Sequence, residues 1–411
     1  MSRVLLGWEL GSNLGHVSRL LPLAKRLRAR GHGVLAVVRD LALAASLLGP
    51  AGIPFIQAPR MSGVPKSPEE QASYADLLWQ SGWADAAQLW ALVQAWVNVF
   101  RMFGPDVAVF DHSPTALLAA RCTRIRSGLI GTGFELPPLR QPLPTYPGCA
   151  GATLEKAARK EAEVLEHANL CLSAVHCAPL QSLCDLFRAD RRWLTTFAEL
   201  DHYGARVGEQ YVGPIGEVPN GASIRWPAGS GHRVFAYLRP DMPSLRGVLG
   251  SLAASGAAVV CYGPGISNVQ AGTLPNPRFA VTGRPVELAP LLRDASLCVS
   301  YAPAATVTET LLRGVPQLLA PAHVEAQMTA QRVESMGAGM VLHGEVSEQH
   351  VALTLHTLLN DSRFKARAAA FAQNHRGFDP GHVADNIVDE IQSLLAGRRP
   401  SGSGETARAR V

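Results

Sequence analysis

Charge is scarce in this chain. Only 17% of its 411 residues are Asp, Glu, Lys or Arg, while 47% are apolar. That balance excludes global disorder, which needs few apolar residues and much charge. Charge of one sign is lacking too, since the formal excess is only +5. Arg398, Arg399, Arg408 and Arg410 stand against Glu405 in the tail, which leaves the body at about +2. That is too little to draw a nucleic-acid partner. Long hydrophobic runs are missing as well. No charge falls between Asp40 and Arg60, but Gly49-Pro50, Gly52 and Pro54 interrupt the stretch, so it does not span a bilayer as one helix. Contact with a membrane surface stays open. The apolar start at Val4 runs into Trp8, Glu9 and a Gly/Asn turn and does not read as a secretory leader. Seven cysteines are an odd number, and the spacings of Cys171, Cys177 and Cys184 match no zinc pattern. They read as small apolar fillers. Reduced thiols point to the cytoplasm, and no metal site is expected.

What is present is an alternation of strands and helices. Arg3–Leu10 reads as a buried strand and is followed by the turn Gly11-Ser12-Asn13-Leu14-Gly15. Val17, Leu20, Leu21, Ala24 and Leu27 then recur at helical spacing up to Gly31. Strands follow at 33–38 and 55–57. A long helical stretch covers about 69–103, and strand 107–110, helix 114–121 and strand 129–130 continue the series. Residues 132–152, rich in proline, read as a loop. A second series runs from strand 234–238 through helix 243–254 and strand 257–261. It goes on with strand 279–281, helix 286–293, strand 297–300, helix 304–313, strand 317–319 and helix 324–336. Strand–helix–strand units at this spacing imply parallel pairing with right-handed crossovers. The predicted fold is α/β, with two facing doubly wound Rossmann-like domains. Residues 1–202 form the first domain and 203–231, with seven Gly and three Pro, the linker. Residues 232–378 form the second domain. The helix 379–397, capped by Asp379, is expected to cross back to the first domain, and 398–411 is a disordered basic tail. Two such sheets place a ligand cleft at their carboxyl ends.

Two stretches carry candidate chemistry. His16 lies in the first turn of the helix behind 11–15, and Asp111 closes strand 107–110. Both stand at carboxyl ends of strands and point to one cleft, where an Asp that takes the imidazole N–H orients a general base. A lone packed histidine and a helix-capping Asp are the plain alternatives. His112, the next residue, is a weaker candidate. The second stretch runs from Cys298 to Gly339. A strand end, a small-residue turn and a helix start bring Thr306 and Glu309 to a helix N-terminus. That suits a diphosphate and sugar hydroxyls, or simply an ordinary capped helix.

Longer signatures join these points. They are Gly15-His16-Val-Ser-Arg-Leu-Leu-Pro22 with Arg30-Gly31-His32, then Val212-Gly213-Pro214. Thr306, Glu309, Gly314-Val-Pro316, Pro321, Ala330, Arg332-Val333 and Gly337-Ala-Gly339 complete the series. On these residues nearly the whole chain resembles the nucleotide-sugar-dependent glycosyltransferases of the GT-B fold. It is most similar to bacterial relatives of the UDP-glucosyl and UDP-glucuronosyl transferases. The resemblance implies an inverting, metal-independent transfer of a sugar from a UDP- or dTDP-sugar co-substrate. The acceptor hydroxyl would belong to a small molecule, lipid or natural product. It makes His16 the base and Asp111 its partner. It puts Thr306 and nearby N–H groups at the phosphates and Glu309 at the ribose, with Ser12, Asn13, Tyr301, Ala305, Glu325 and Gln327 as further donor-binding positions.

The chain departs from the family in places. Tyr301-Ala-Pro-Ala-Ala-Thr306 replaces His-Gly-Gly-x-Gly-Thr, and Pro303 has no N–H to offer. Glu325-Ala326 replaces Asp-Gln, with Gln327 one place late. The Trp that stacks on the base in eukaryotic relatives is missing near Gly283-Arg284-Pro285. Arg239, at the end of strand 234–238, would compensate by gripping the diphosphate, or it is a solvated Arg before Pro240. Trp79, Trp83 and Phe134 would line the acceptor pocket, or the two tryptophans pack in the core. A catalytically impaired GT-B protein acting as a ligand-binding or partner scaffold is the alternative that Tyr301, Pro303 and Ala326 favour. A sugar-nucleotide epimerase is a third reading.

Overall fold

In the computed structural model, residues 1–12, 14–61, 71–147, 153–217, 221–266 and 276–397 are described. The first sheet consists of β1 (Arg3–Trp8), β2 (Gly33–Val38), β3 (Phe55–Gln57), β4 (Val107–Asp111), β5 (Arg126–Gly131) and β6 (Arg191–Leu194). Its order is β3-β2-β1-β4-β5-β6. The second consists of β7 (Arg233–Tyr237), β8 (Ala258–Tyr262), β9 (Phe279–Thr282), β10 (Leu297–Ser300), β11 (Gln317–Leu319) and β12 (Gly339–Val341). Its order is β12-β11-β10-β7-β8-β9. All ten strand pairings are parallel. Counted within its own half, each sheet has the doubly wound Rossmann order. The order reverses between β1 and β4 in the first sheet and between β7 and β10 in the second, and ligands bind at such points. The expected fold class is the observed one.

Several elements escaped the sequence reading. Helix Leu154–Ala174 is capped by Thr153, whose hydroxyl accepts from Lys156 N–H at 3.2 Å, and it buries Ala157, Val164, Ala168 and Leu172. Alanines on that face give too little apolar contrast to show a period. β6 carries Arg191 and Arg192 in four residues, and β12 has three, so neither displays a pattern. Helices Glu348–Asn360 and Ser362–Asn374 were also missed. The long stretch 69–103 is not one helix. Tyr74–Leu78 runs into a wide turn at Trp79–Trp83, and Gly82, at φ +98°, breaks it before helix Ala86–Phe103.

The two halves meet in several places. Helix Pro380–Ala396 packs Ile387, Val388 and Ile391 onto the first sheet's cluster with Val4, Leu6 and Leu20. Arg26 Nε reaches Asp385 Oδ1 at 2.8 Å, and Arg126 Nη1 donates to Leu394 O at 2.6 Å. Phe197 and Leu200, within the stretch assigned to the first domain, instead pack among Val307, Leu311, Ala330 and Phe371 of the second. Phe134 and Tyr146 touch Met328 across the cleft. Tyr211 and Val212 still pair with Leu194, whereas Ala222 pairs with Val286, so the chain changes sheets between them. The six described cysteines are free, and Cys171 and Cys184 are buried fillers. Cys149 and the tail 398–411 lie outside the described residues. Among the described residues no helix is long and apolar enough to cross a membrane.

Candidate active site

The register of β1 on β4 sets Trp8 directly beside Asp111. Helix Leu14–Ala29 begins after the short turn that follows β1, so its first turn folds back over that pair. His16 Nδ1 lies 2.9 Å from Asp111 Oδ1. The indole of Trp8 stacks on the imidazole with centroids 5.1 Å apart and planes 18° from parallel. A bonded carboxylate on one side and an aromatic plate on a face fix the ring. Its other nitrogen, Nε2, lies against Gly11. A Cβ there would stand 2.5 Å from Nε2, and φ is +80°, so only glycine leaves room.

Two further charged groups complete the cluster. Arg19 is one helical turn beyond His16, and its Nη1 stands 2.8 Å from both Asp111 oxygens and 3.5 Å from Glu135 Oε1. Glu135 Oε1 lies 4.0 Å from His16 Nδ1. Its Oε2 accepts from Thr132 N–H at 2.6 Å and from the Thr132 hydroxyl. Asp111 is wholly buried, and Glu135, His16 and Arg19 are nearly so. Burial opposes charge on the imidazole, but Asp111 and then Glu135 outweigh it and raise the His16 pKa above its usual value. Burial likewise works against Glu135 ionising, but Arg19 and His16 hold its carboxyl well below the usual carboxylate range. The ligand atoms of His16, Asp111 and Glu135 lie within 4.8 Å of one another, a spacing a metal could use. Here the guanidinium of Arg19 stands between the two carboxylates and supplies the positive charge they need. Sequence reading missed both Arg19 and Glu135. The i,i+3 spacing of His16 and Arg19 was the available signal, because it puts them on one helix face.

The second sheet supplies the facing wall. The helix Ala304–Leu312 starts at the carboxyl end of β10, with Pro303 at its N-cap and no side-chain cap. The N–H groups of its first turn are therefore open to an anion. Ala305 is exposed there and Thr306 is buried. Glu309 is paired with Arg313 Nη2 at 3.0 Å. Tyr301 is turned inward, 2% exposed, with its hydroxyl on Tyr237 Oη at 3.3 Å. Arg239 stands at the end of β7, bound by Asp241 through Nε (2.9 Å) and Nη2 (2.8 Å), with its guanidinium 5.3 Å from the Tyr301 ring. Glu325 lies in the first turn of the helix Val324–Ser335, and Gln327 follows half-buried in the same turn. Burial, and next Glu135 across the cleft, push the Glu325 carboxyl up to about 7. The charge of this second-domain residue is thus felt by the His16 cluster.

The remaining predicted positions separate. Ser12 is exposed in the turn before His16, and Asn13 lies outside the described residues. Trp83 is fully buried and donates to Thr115 Oγ1 at 3.1 Å, which makes it a core residue. Trp79 faces helix Leu154–Ala174, where its Nε1 donates to Glu163 Oε1 at 2.7 Å. Phe134 lies in the seam between the halves, with ring contacts to His112, Tyr146 and His202. His112, at φ +45°, is buried, and burial pushes its pKa down to about 3, so it is neutral.

No family model and no curated protein matches the chain. Solved structures do. The calicheamicin glycosyltransferase CalG4 is similar over 97% of this chain and 100% of its own, with a TM-score of 0.72 at 18% identity. The glycosyltransferase of kitacinnamycin covers 96% of this chain and 99% of its own, with a TM-score of 0.70 at 19% identity. The spinosyn rhamnosyltransferase SpnG complexed with thymidine diphosphate covers 94% and 100%, with a TM-score of 0.63 at 17% identity. End-to-end likeness to these structures identifies the fold of this chain as GT-B.

Proposed function

We propose that this protein is an inverting glycosyltransferase. It moves a sugar from a nucleoside-diphosphate donor to a hydroxyl of a small-molecule acceptor. The observation that carries the reading is the buried His16–Asp111 pair at the reversal point of the first sheet, facing a second sheet whose reversal point offers an open helix N-terminus. A scaffold has no need of an imidazole held in one orientation by a buried carboxylate. Neighbours of the same fold include a calicheamicin glycosyltransferase and a rhamnosyltransferase complexed with thymidine diphosphate. A UDP- or dTDP-sugar is accordingly the donor class.

His16 Nε2 takes the proton from the acceptor hydroxyl. The oxygen attacks the anomeric carbon from the face opposite the diphosphate, the bond to the diphosphate oxygen breaks, and the nucleoside diphosphate leaves. Asp111 stabilises the imidazolium that forms. The first-turn N–H groups of helix Ala304–Leu312 and Thr306 hold the phosphates, whose growing charge they meet in the transition state. Arg239 joins them by exchanging Asp241 for phosphate. Glu309 holds the ribose, and Glu325 and Gln327 face the transferred sugar. Arg19 gives the two buried carboxylates their countercharge, so this scheme has no step that calls on a metal.

Calorimetric titration with UDP, dTDP and GDP, followed by turnover with the matching sugar nucleotide, tests the reading. Nucleotide binding that survives in H16A, with turnover down by about 10²–10⁴-fold, is the expected pattern. Binding without turnover over a broad acceptor panel would favour the scaffold, and formation of a new sugar nucleotide without acceptor would favour the epimerase.

A further inference from the structure

A cavity of about 180 Å³ opens over the first sheet, on the side of β1, β2 and β3. Its walls follow the carboxyl ends of the first three strands: Glu9 and Leu10 after β1, Arg39 after β2, and Arg60 after β3. Gln80 and Ser81, from the turn before helix Ala86–Phe103, close it on the other side. Leu10 lines it, and the next residue, Gly11, is the one that His16 Nε2 lies against. The cavity wall and the residue against the imidazole are thus neighbours in the chain.

The cavity is rich in unspent donors. Arg60 is exposed and makes no hydrogen bond or ion pair among the described residues. The charge of Arg60 is felt by Arg39 and, after burial, is the main influence holding that guanidinium below its usual pKa. Arg39 donates once, from Nη1 to the Glu9 carbonyl at 3.0 Å. The nearby acids Glu9 and Asp40 act on Arg39 through space only. Glu9 gives Oε1 and Oε2 to the N–H groups of Thr115 and Ala116, both at 3.0 Å. Asp40 gives Oδ1 to the N–H of Leu43 at 3.0 Å. Each caps a helix, and neither forms an ion pair with Arg39 or Arg60. Gln80 accepts at Oε1 from Gln71 at 2.6 Å, which leaves its amide hydrogens to donate. Two guanidiniums that repel each other at one cavity, neither of them in an ion pair among the described residues, are a receptor for an oxyanion.

We propose that this cavity binds an oxyanion group of the acceptor through Arg39 and Arg60, so that the acceptors are hydroxylated acids. The acceptor role rests on the glycosyltransferase reading, while the anion site stands on its own. The volume admits a carboxylate or phosphate carried on a small carbon skeleton.

The test titrates the full chain, with and without UDP or dTDP, in buffers of matched chloride. The probes are para-hydroxybenzoate, inorganic phosphate and the neutral para-hydroxybenzamide. Saturable binding of an anion is expected, with the benzamide at least tenfold weaker, and the anion that binds tells carboxylate from phosphate. R39Q and R60Q should each weaken it by about ten- to a hundredfold, the worth of a charge-assisted bond. Arg60 is exposed, so R60Q keeps the fold and serves where R39Q does not. Failure of both anions to bind, or binding unchanged in both variants, overturns the site. Nucleotide binding without anion binding sinks only the site. Anion binding without nucleotide binding sinks only the glycosyltransferase reading.

Discussion

Replacing Arg19 by Gln removes a buried charge from beside the base and leaves an amide that still donates to Asp111. His16 Nδ1 and Arg19 Nη1 reach the same Asp111 oxygen, at 2.9 and 2.8 Å. The two nitrogens are therefore at most about 6 Å apart. At an effective dielectric of about 20 their repulsion is roughly 3 kcal/mol, or about two pH units. R19Q should accordingly raise the His16 pKa. Proton uptake by Glu135, whose carboxyl Arg19 now holds ionised, sets the ceiling. The sign follows from linkage. A histidine raised above its unfolded value adds stability that is full below the unfolded pKa and is lost as pH rises through the folded one. In R19Q that upper edge moves to higher pH, and the acid limb of kcat/KM moves with it, because the base must be neutral to act. Imidazole proton resonances, assigned with H16N, give the pKa without reference to turnover. R19Q/E135Q restores the net charge and should return the value to within about one unit of the parent. A His16 pKa that stays put or falls in R19Q would refute the assignment of Arg19 as a group that lowers it.

Gly11→Ala should keep the fold at a cost of about 1–2 kcal/mol for the left-handed backbone, while the new Cβ displaces His16 Nε2; full turnover with unchanged thermal stability would contradict the placement of that nitrogen. Glu9, nearly buried, has a carboxyl that burial pushes up to about 7 despite two backbone bonds. Folding therefore favours its protonated form, and stability falls as pH rises from about 4.5 to about 7, by an amount on the order of 1–3 kcal/mol. Unfolding midpoints in denaturant across that range should slope less in E9Q, and an unchanged slope would count against the burial argument. Ile391 is fully buried where the last helix meets the first sheet. I391A should cost about 2–5 kcal/mol, and hydrogen exchange should quicken in helix Leu14–Ala29 as well as in the last helix. Exchange that changes in the last helix alone would mean the contact does not hold the two together.

Much of this was legible in the residues themselves. Strand, turn and helix succeed each other at spacings that demand parallel sheets, and a His and an Asp at strand ends were bound to face one crevice. β3 was readable at Phe55–Gln57, and the cap at Asp379 marked the last helix, because both signals are local. Sequence alone thus determined the fold class, the GT-B resemblance and the first two members of the site. Only the tertiary structure decided the rest, since it depends on which strands lie side by side. The register of Trp8 against Asp111, about a hundred residues apart in the chain, creates the stacked and bonded imidazole. The same closeness brings Arg19 and Glu135 to one carboxylate, buries Tyr301 on Tyr237, and sends Trp83 to the core rather than to a pocket. A side chain's neighbours across a sheet leave no periodic trace in the sequence, so packing alone assigned these residues their roles.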